Sequence, residues 1–298
     1  MGKALVDVFP VARRTFEEAD AALGFSLSSK CFEGPEEDLK RTELTQPAIL
    51  TTSIAAHRVL LERRPDLKVN FAAGHSLGEW SALVAVGALA FADAVRLVRE
   101  RGRLMQEAVP LGQGAMAAVL GLLPDEVKAV CEKVGAEMGQ VVVAANFNST
   151  EQTVISGSAA GVEAAGRALT ERGAKKIAPL PVSAPFHSPL MAPAARGLAV
   201  ALDGIAVSTP NAKVVTNVEA QPNGDASRIK ALLVEQVTAP VRWVETVQFL
   251  VGAGETTAIE IGPGKVLMGL ARRIDRNLKV LNVEDVDSLE KTLAVLGS

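Results

Sequence analysis

The stretch that decides the fold runs from Val69 to Trp80 and reads V-N-F-A-A-G-H-S-L-G-E-W. An apolar run rich in β-forming residues ends at Gly74, and a sequence compatible with a helix follows Ser76 at once. Residues 74–78 therefore match G-x-S-x-G in the strand, turn and helix setting that this pattern requires. The turn predicts a serine hydroxyl lifted clear of the backbone at a helix N-terminus, where free N–H groups face a developing oxyanion. With 25 glycines in 298 residues the pattern also arises by chance, so the rest of the chain must support it.

Composition narrows the classes of function. Hydrophobic residues make up 48% of the chain and charged residues 22%, which predicts a full core and argues against disorder. A net charge of -3, the lack of tyrosine and 4% aromatic residues argue against a nucleic-acid partner. Cys31 and Cys131 are too few for a disulfide scaffold or a zinc cluster and fit buried thiols in a reducing compartment. Since no signal peptide or long apolar span is recognisable, we expect a soluble cytoplasmic protein without a membrane partner.

Helical patterns flank the serine turn on both sides. Residues 1–25 open directly in helical pattern, with Pro10 at a boundary and no strand before them. The charged run after Pro35 predicts a surface loop, and Thr45 is expected to start a long helix. Two more helices are expected after the turn, at residues 82–89 and 91–108.

Arg101 differs from the other charged residues of its predicted helix. At about 100° per residue it lies on the apolar side, near Val98, whereas Arg99 and Arg103 point elsewhere. An arginine in that position is costly unless its head reaches water or meets an anion. Position alone leaves both interpretations open.

The middle of the chain predicts a separate small unit. Its strands are expected at residues 115–121, 141–147, 152–156 and 175–181, and its helices at residues 124–134 and 159–172. The order βαββαβ is that of a ferredoxin-like subdomain, inserted in a larger α/β domain with a parallel sheet. We place the large domain at residues 1–111 and 184–298 and the subdomain at 112–183. A second domain beside a serine turn predicts a cleft between the two.

His187 lies where the chain returns to the large domain, within P-V-S-A-P-F-H-S-P at residues 181–189. The prolines hold this loop extended, and a helix is expected from Ser188-Pro189 to about Leu202. A structural role and a role as the base for Ser76 both remain open for this histidine. No nucleotide-binding fingerprint or metal-ligand spacing occurs in the chain, so we expect no metal.

Six short motifs in one order resemble the malonyl-CoA:acyl carrier protein transacylases of fatty-acid synthesis and the acyltransferase domains of polyketide synthases. The motifs are Thr45-Gln46-Pro47-Ala48, Gly74-His75-Ser76-Leu77-Gly78-Glu79, Arg101-Gly102-Arg103-Leu104-Met105-Gln106, Asn146-Phe147-Asn148-Ser149, Pro185-Phe186-His187-Ser188 and Glu260-Ile261-Gly262-Pro263-Gly264. The resemblance runs nearly end to end. It implies the same fold, a hydrolase-like α/β domain with a ferredoxin-like insert.

The resemblance also implies roles for individual residues. Ser76 would carry the malonyl group as an ester, and His187 would act as general base and then acid, oriented by the backbone carbonyl of Gln236. Arg101 would bind the free carboxylate of malonate through its planar fork, which acetyl-CoA could not engage. The Leu77 N–H would be an oxyanion donor.

Three further residues are implied as pocket lining. Phe186 matches the malonyl-selecting form of the histidine motif, and its bulk would leave little room for a methyl group on the α-carbon of the substrate. His75 and Asn146 would line the pocket beside it.

The resemblance implies malonyl-CoA as substrate, no permanently bound cofactor and acyl carrier protein as partner. That carrier is acidic, so a basic patch is expected at the mouth of the cleft, with Arg196, Lys175, Lys176 and Lys265 as candidates. A serine esterase is the first alternative to this function.

The start of the chain departs from the family pattern. Members begin with a strand and an F-P-G-Q-G-S-Q loop whose first glutamine lends a second oxyanion donor, whereas this sequence begins M-G-K-A-L. Either the sequence is shortened or the protein lacks the element, and loss of one such donor costs about a hundred- to a thousand-fold in rate. An impaired or non-catalytic form that binds carrier protein is therefore the second alternative.

Overall fold

A computed structural model describes residues 1–182 and 184–297 of the chain. Residues 183 and 298, where two of the predicted domain limits fall, lie outside the described residues. The described part forms the helices α1 Lys3–Val8, α2 Pro10–Leu23, α3 Leu27–Glu33, α4 Glu36–Lys40, α5 Thr42–Arg63, α6 Leu77–Ala85, α7 Phe91–Glu107, α8 Pro124–Met138, α9 Ala159–Glu171, α10 Ala192–Leu202, α11 Ala226–Glu235, α12 Trp243–Gly252, α13 Val266–Ile274 and α14 Val286–Leu296.

The strands form three sheets within the described residues. They are β1 Phe71–Ala73, β2 Gly114–Leu120, β3 Val142–Ser149, β4 Gln152–Ser158, β5 Lys176–Pro179, β6 Lys213–Val215, β7 Pro222–Asn223, β8 Thr257–Ile261 and β9 Lys279–Val283. The parallel strands pair as β1 with β6 and as β8 with β9, and β7 adds an antiparallel edge to β6. The strand that ends at the serine turn thus belongs to a parallel pair, as the sequence indicates.

The middle of the chain folds as the predicted βαββαβ unit. Its sheet has the order β3-β4-β2-β5 and all its pairings are antiparallel. Helices α8 and α9 pack on one face and share a small core with Val119, Ile155 and Leu169. The opposite face carries a second apolar cluster around Met116 and Val154 that includes the partly buried Phe186. Because Phe186 immediately precedes His187, this face lies next to the loop that carries the histidine.

The main core lies in the helical part of the large unit. Helices α2, α5, α6, α7 and α10 surround it, with Trp80, Leu50 and Leu198 almost completely buried. Gly102 allows α7 to approach α5 closely, because a Cβ atom there would lie 2.5 Å from the carbonyl oxygen of Thr42. This close approach brings Arg101 of α7 next to the start of α5.

A short backbone ladder joins the small unit to the large one. The N–H of Val241 donates to the carbonyl of Ala145 at 2.9 Å, and the N–H of Phe147 donates to the carbonyl of Val241 at 2.9 Å. Val241 lies just before α12, so strand β3 is fixed against the segment that leads into this helix.

Four local predictions were wrong in detail. The helix expected at residues 82–89 is α6, which begins at Leu77 directly after the serine and ends at Ala85, before Gly87 with its positive φ. The long helix begins at Thr42, not Thr45, because the Arg41 carbonyl accepts from the N–H groups of Leu44 and Thr45. The charged run after Pro35 forms the short helix α4, with Glu36, Glu37 and Asp38 at its positive end. Pro189–Met191 forms a 3-10 turn before α10, and the short strand β7 was not predicted.

Candidate active site

Ser76 occupies a strained turn between β1 and α6. Its backbone has φ 49° and ψ -105°, a region that a non-glycine residue rarely adopts. Gly74 is required on the strand side, because a Cβ atom there would lie 2.1 Å from the carbonyl carbon and oxygen of Gly78. The serine is thus raised at the N-terminus of α6, as the G-x-S-x-G pattern predicts.

Asn217, which follows β6, holds this turn from the neighbouring strand. Its Oδ1 accepts from the backbone N–H of Ser76 at 2.6 Å, and its Nδ2 donates to the carbonyl of Gly74 at 2.7 Å. The amide is completely buried. Sequence reasoning missed Asn217, although a polar residue two positions beyond a buried strand is a usable signal.

His187 lies against the Ser76 hydroxyl. The two atoms Nε2 and Oγ are 2.8 Å apart, and Nδ1 faces the carbonyl oxygens of Gln236 at 2.9 Å and Ala239 at 3.1 Å. Carbonyl oxygens only accept hydrogen bonds, so Nδ1 carries the proton and Nε2 presents its lone pair to the hydroxyl. Burial, reinforced by the positive charge of Arg101, lowers the pKa of His187 to about 3. The imidazole is therefore neutral and poised as a base.

Arg101 extends from α7 to the other side of the same hydroxyl. Its Nη1 donates to Oε1 of Gln46 at 2.7 Å, and its Nη2 donates to Oε1 of Gln236 at 2.9 Å and to Oγ of Ser76 at 3.1 Å. The side chain is 2% exposed, and its Nε–H has no hydrogen-bond partner among the described residues. Burial lowers the pKa of Arg101 to about 10, so the guanidinium remains charged. The structure thus favours the anion-binding interpretation.

A buried carboxylate completes the network. Oε2 of Glu79 accepts from Nε2 of Gln236 at 2.6 Å and from the backbone N–H of Asn217 at 3.0 Å. Burial raises the pKa of Glu79 to about 7, against the opposing effect of these two hydrogen bonds and of the Arg101 charge. The sequence analysis gives Glu79 no role beyond its place in the serine motif. Its position on the apolar face of α6 could have indicated a buried carboxylate with a specific partner.

His75 and Asn146 lie at the boundary with the small unit. Nε2 of His75 is 2.8 Å from Oδ1 of Asn148, and its ring lies 5.9 Å from that of Trp243. Burial lowers the pKa of His75, so this ring is neutral as well. Asn146 is buried on β3 beside Val241, and within the described residues its side chain makes no hydrogen bond to the serine, the histidine or the arginine.

Phe186 and Leu77 flank the reacting groups. Phe186 packs against both the main core and the inner face of the small sheet, so its ring bridges the two units. Leu77 is the first residue of α6, and among the described residues no acceptor faces its N–H, while the N–H of Gly78 is bound to the carbonyl of His75. The nucleophile, the base and the cation thus converge on one atom, with an unused helix N–H beside them.

The comparison with known families decides the relationship. The family model described as "Acyl transferase domain" matches residues 1–291. The chain belongs to the acyl transferase domain family. This acyltransferase is 48% identical over 296 residues to the malonyl CoA-acyl carrier protein transacylase of Bacillus subtilis, which covers 99% of this chain and 92% of the relative. The enzyme of the same name from Haemophilus influenzae is 46% identical over 284 residues, covering 95% of this chain and 90% of the relative.

Solved structures of similar proteins share the architecture of the acyltransferase. The malonyl CoA-acyl carrier protein transacylase of Coxiella burnetii superposes with a TM-score of 0.96 at 41% identity, covering 100% of this chain and 93% of that one. A malonyl-transacylase in complex with the acyl carrier protein of a type II polyketide synthase superposes with a TM-score of 0.95 at 46% identity, covering 99% and 94%. The predicted fold class is confirmed, and the division at residues 112 and 183 stays a prediction.

The basic residues considered for a carrier surface lie on three separate segments of the acyltransferase, namely the start of β5, α10 and the residue before α13. Lys175 pairs with Glu151 at 3.8 Å, and Lys265 pairs with Glu284 at 3.1 Å, so two of the four charges are partly offset. Arg196 is exposed on α10 and Lys176 on β5. Among the described helices, none is both long enough and apolar enough to span a bilayer.

Proposed function

We propose that this acyltransferase moves a malonyl group from malonyl-CoA to the phosphopantetheine thiol of acyl carrier protein, through a malonyl ester on Ser76. One observation carries the proposal: Oγ of Ser76 lies 2.8 Å from a neutral imidazole and 3.1 Å from a buried guanidinium. The first group can activate the hydroxyl, and the second can recognise a substrate with a free carboxylate. The names of the relatives and the carrier complex support the same reaction.

The first half-reaction forms the ester. Nε2 of His187 takes the hydroxyl proton as Oγ of Ser76 attacks the thioester carbonyl, and the Leu77 N–H donates to the resulting oxyanion. The intermediate then collapses with loss of coenzyme A, whose sulfur receives the proton from the imidazole. The second half-reaction repeats these steps in reverse with the carrier thiol as nucleophile, which regenerates the serine.

The imidazole works without an acidic partner. When it becomes cationic, its positive charge is stabilised by the carbonyl dipoles of Gln236 and Ala239, which face the protonated Nδ1. These carbonyls also fix the tautomer, since neither can donate to Nδ1. Because they belong to the backbone, the orientation of His187 depends on the fold of the 236–241 segment and not on a third side chain.

The carboxylate of malonate binds to Arg101. Nη1 is held by Gln46, so the Nε and Nη2 edge offers two parallel donors to the carboxylate once Nη2 leaves the serine. Acetyl-CoA would leave this edge unpaired in a buried site, which disfavours its transfer. Substrate recognition and release of the nucleophile are therefore the same event.

Binding of the carboxylate also activates the base. The positive charge of Arg101 is one cause of the low pKa of His187, after burial itself. A bound carboxylate offsets that charge, which raises the pKa of the imidazole and strengthens it as a proton acceptor. A substrate without a carboxylate meets a weaker base.

Pocket shape adds a second level of selection. Phe186 immediately precedes His187 and is fixed between two apolar clusters. Its ring restricts the space around the α-carbon of the substrate, so methylmalonyl-CoA is the poorer substrate. His75, in the serine turn, and Asn146, on β3, line the pocket at the boundary between the two units. We expect the protein in the cytoplasm, in accord with the buried free thiols of Cys31 and Cys131.

Intact-mass measurement after incubation with malonyl-CoA tests the proposal. The wild-type chain gains one malonyl group, Ser76→Ala gains none, and addition of holo acyl carrier protein removes the group from the wild type. Lack of labelling of the wild type would favour a non-catalytic carrier-binding protein. Rapid hydrolysis of simple esters with no transfer to the carrier would favour a serine esterase.

A further inference from the structure

Glu79 has no place in the reaction as written, yet it lies one helical turn beyond the nucleophile and is 2% exposed. Its carboxylate reaches Arg101 through a single amide. Nε2 of Gln236 donates to Oε2 of Glu79 at 2.6 Å, and Oε1 of the same amide accepts from Nη2 of Arg101 at 2.9 Å. The amide therefore connects an anion on α6 to the cation on α7.

Arg101, on α7, is the charged group that acts on Glu79. The titratable groups on the other side of Arg101 are His187, in the loop before α10, and His75, in the turn before α6. Both histidines are neutral because burial lowers the pKa of each. Arg101 is thus the cation that balances Glu79, and a buried charge of either sign is costly without the other.

A malonyl group changes this balance, because its carboxylate brings a second anion to the same guanidinium. Keeping two carboxylates ionised beside one cation in a buried site costs free energy, so protonation of one of them is favoured. The malonyl carboxylate is the stronger acid and stays ionised, whereas burial already raises the pKa of Glu79 to about 7. Glu79 is therefore the carboxylate that takes up a proton.

We propose that Glu79 is the counter-ion of Arg101 in the free enzyme and takes up one proton from solvent when the malonyl carboxylate binds. The inference rests on the proposed function. Glu79 contacts neither substrate nor reacting atoms, so it is a positioning residue that acts through Gln236. The transfer from thioester to ester consumes no proton, and Glu79 returns its proton to solvent when the malonyl group leaves on the carrier.

Calorimetric titration of the Ser76→Ala protein with malonyl-CoA tests the inference. Measurements at about pH 7.5 in two buffers of different ionisation enthalpy give the number of protons bound with the ligand, for which we expect about 0.5 to 1. Acetyl-CoA carries the same phosphates without the carboxylate, and we expect it to bind with no comparable uptake. The acetyl ligand thus isolates the effect of the malonyl carboxylate.

The variant Glu79→Gln in the same Ser76→Ala background keeps an acceptor for Gln236 and Asn217 but cannot ionise. We expect it to bind malonyl-CoA without proton uptake and, at about pH 8, several-fold more tightly than the Ser76→Ala protein. A purely structural role for Glu79 would leave the proton count unchanged. The same uptake in both proteins, or binding by Ser76→Ala with no uptake, would overturn the inference.

A second measurement does not depend on the folding of the double variant. In the Ser76→Ala protein alone, proton uptake with malonyl-CoA should fall toward zero at about pH 5.5, where Glu79 is already protonated. Uptake that stays constant between about pH 5.5 and 8 would contradict the inference. Failure of the wild type to form the malonyl ester would instead contradict the proposed function.

Discussion

Nη2 of Arg101 lies 3.1 Å from Oγ of Ser76, so the cation proposed to select the substrate also contacts the nucleophile. The guanidinium is held on two other sides by Gln46 and Gln236. It therefore has little freedom to leave, and a substrate carboxylate must compete for donors that already face the reacting oxygen. Selection and catalysis consequently share one side chain.

Replacement of Arg101 separates malonyl from acetyl transfer. We expect Arg101→Ala to reduce the rate of malonyl-serine formation by about a hundred-fold or more, because the buried carboxylate loses its paired donors. Arg101→Lys keeps the charge without the planar fork and should recover only part of this loss. Labelling rates with malonyl-CoA and acetyl-CoA, followed by intact mass, check the expectation. Equal losses with both substrates would show that Arg101 acts only on the nucleophile or on stability.

The base should remain active in mildly acidic solution. The pKa of His187 is lowered to about 3, so the imidazole keeps its lone pair as the pH falls through its ordinary value of 6.5. We therefore expect kcat/KM for malonyl-CoA to show no loss between about pH 8 and 6. Stopped-flow or quenched-flow rates of ester formation across this range check the prediction. A fall centred near the ordinary histidine value would mean that the imidazole titrates normally.

Replacement of the two glycines of the serine turn by alanine should change the stability of the fold in opposite directions. A Cβ atom at Gly74 would lie 2.1 Å from the backbone of Gly78, so we expect Gly74→Ala to destabilise the fold by at least about 2 kcal/mol. A Cβ atom at Gly78 would meet no neighbouring group within 4 Å, and alanine favours the helix by about 0.5 to 1 kcal/mol. Chemical denaturation of both variants checks the contrast. Similar losses in the two proteins would contradict it.

The ionisation of Glu79 should appear in the pH dependence of stability. Its pKa is raised from 4.5 to about 7 in the folded state, so its protonated form stabilises the fold at low pH and this contribution is lost as the pH rises toward 7. The neutral variant Glu79→Gln lacks this pH dependence. The free energy of unfolding of the variant minus that of the wild type should therefore be about 1 to 3 kcal/mol larger at about pH 8 than at about pH 5. Denaturant titrations of both proteins at the two pH values measure this difference. A difference that does not change with pH would show that Glu79 ionises normally.

Local sequence patterns identify functional residues whose position is determined by the turn or helix that contains them. Ser76 follows from a pattern with a known turn, and a charge on the apolar side of α7 distinguishes Arg101 from its neighbours but leaves its role open. Glu79 and Asn217 act across long sequence separations, and no local pattern pairs Asn217 with the serine turn. Gln236 was predicted only in part. The family resemblance implies that its backbone carbonyl orients the histidine, but it does not imply the side-chain amide that joins Arg101 to Glu79.

The fold shows the same division. Periodicity and turn residues predict the βαββαβ order of the insert, because each element there carries its own apolar pattern. The start of α5 at Thr42 depends on hydrogen bonds to the Arg41 carbonyl, which no apolar pattern encodes. Likewise, the two-residue strand β7 exists only through its pairing with β6.

The ladder at Val241 has a mechanical consequence for the imidazole. Val241 is hydrogen-bonded to β3 of the small unit, and two residues before it the carbonyl of Ala239 faces Nδ1 of His187. A rotation of the small unit would therefore displace this segment, and with it the carbonyl that orients the imidazole toward the serine. The orientation of the imidazole therefore depends on how the small unit packs against the large one. Weaker packing between the two units would lower the rate of proton transfer from the serine.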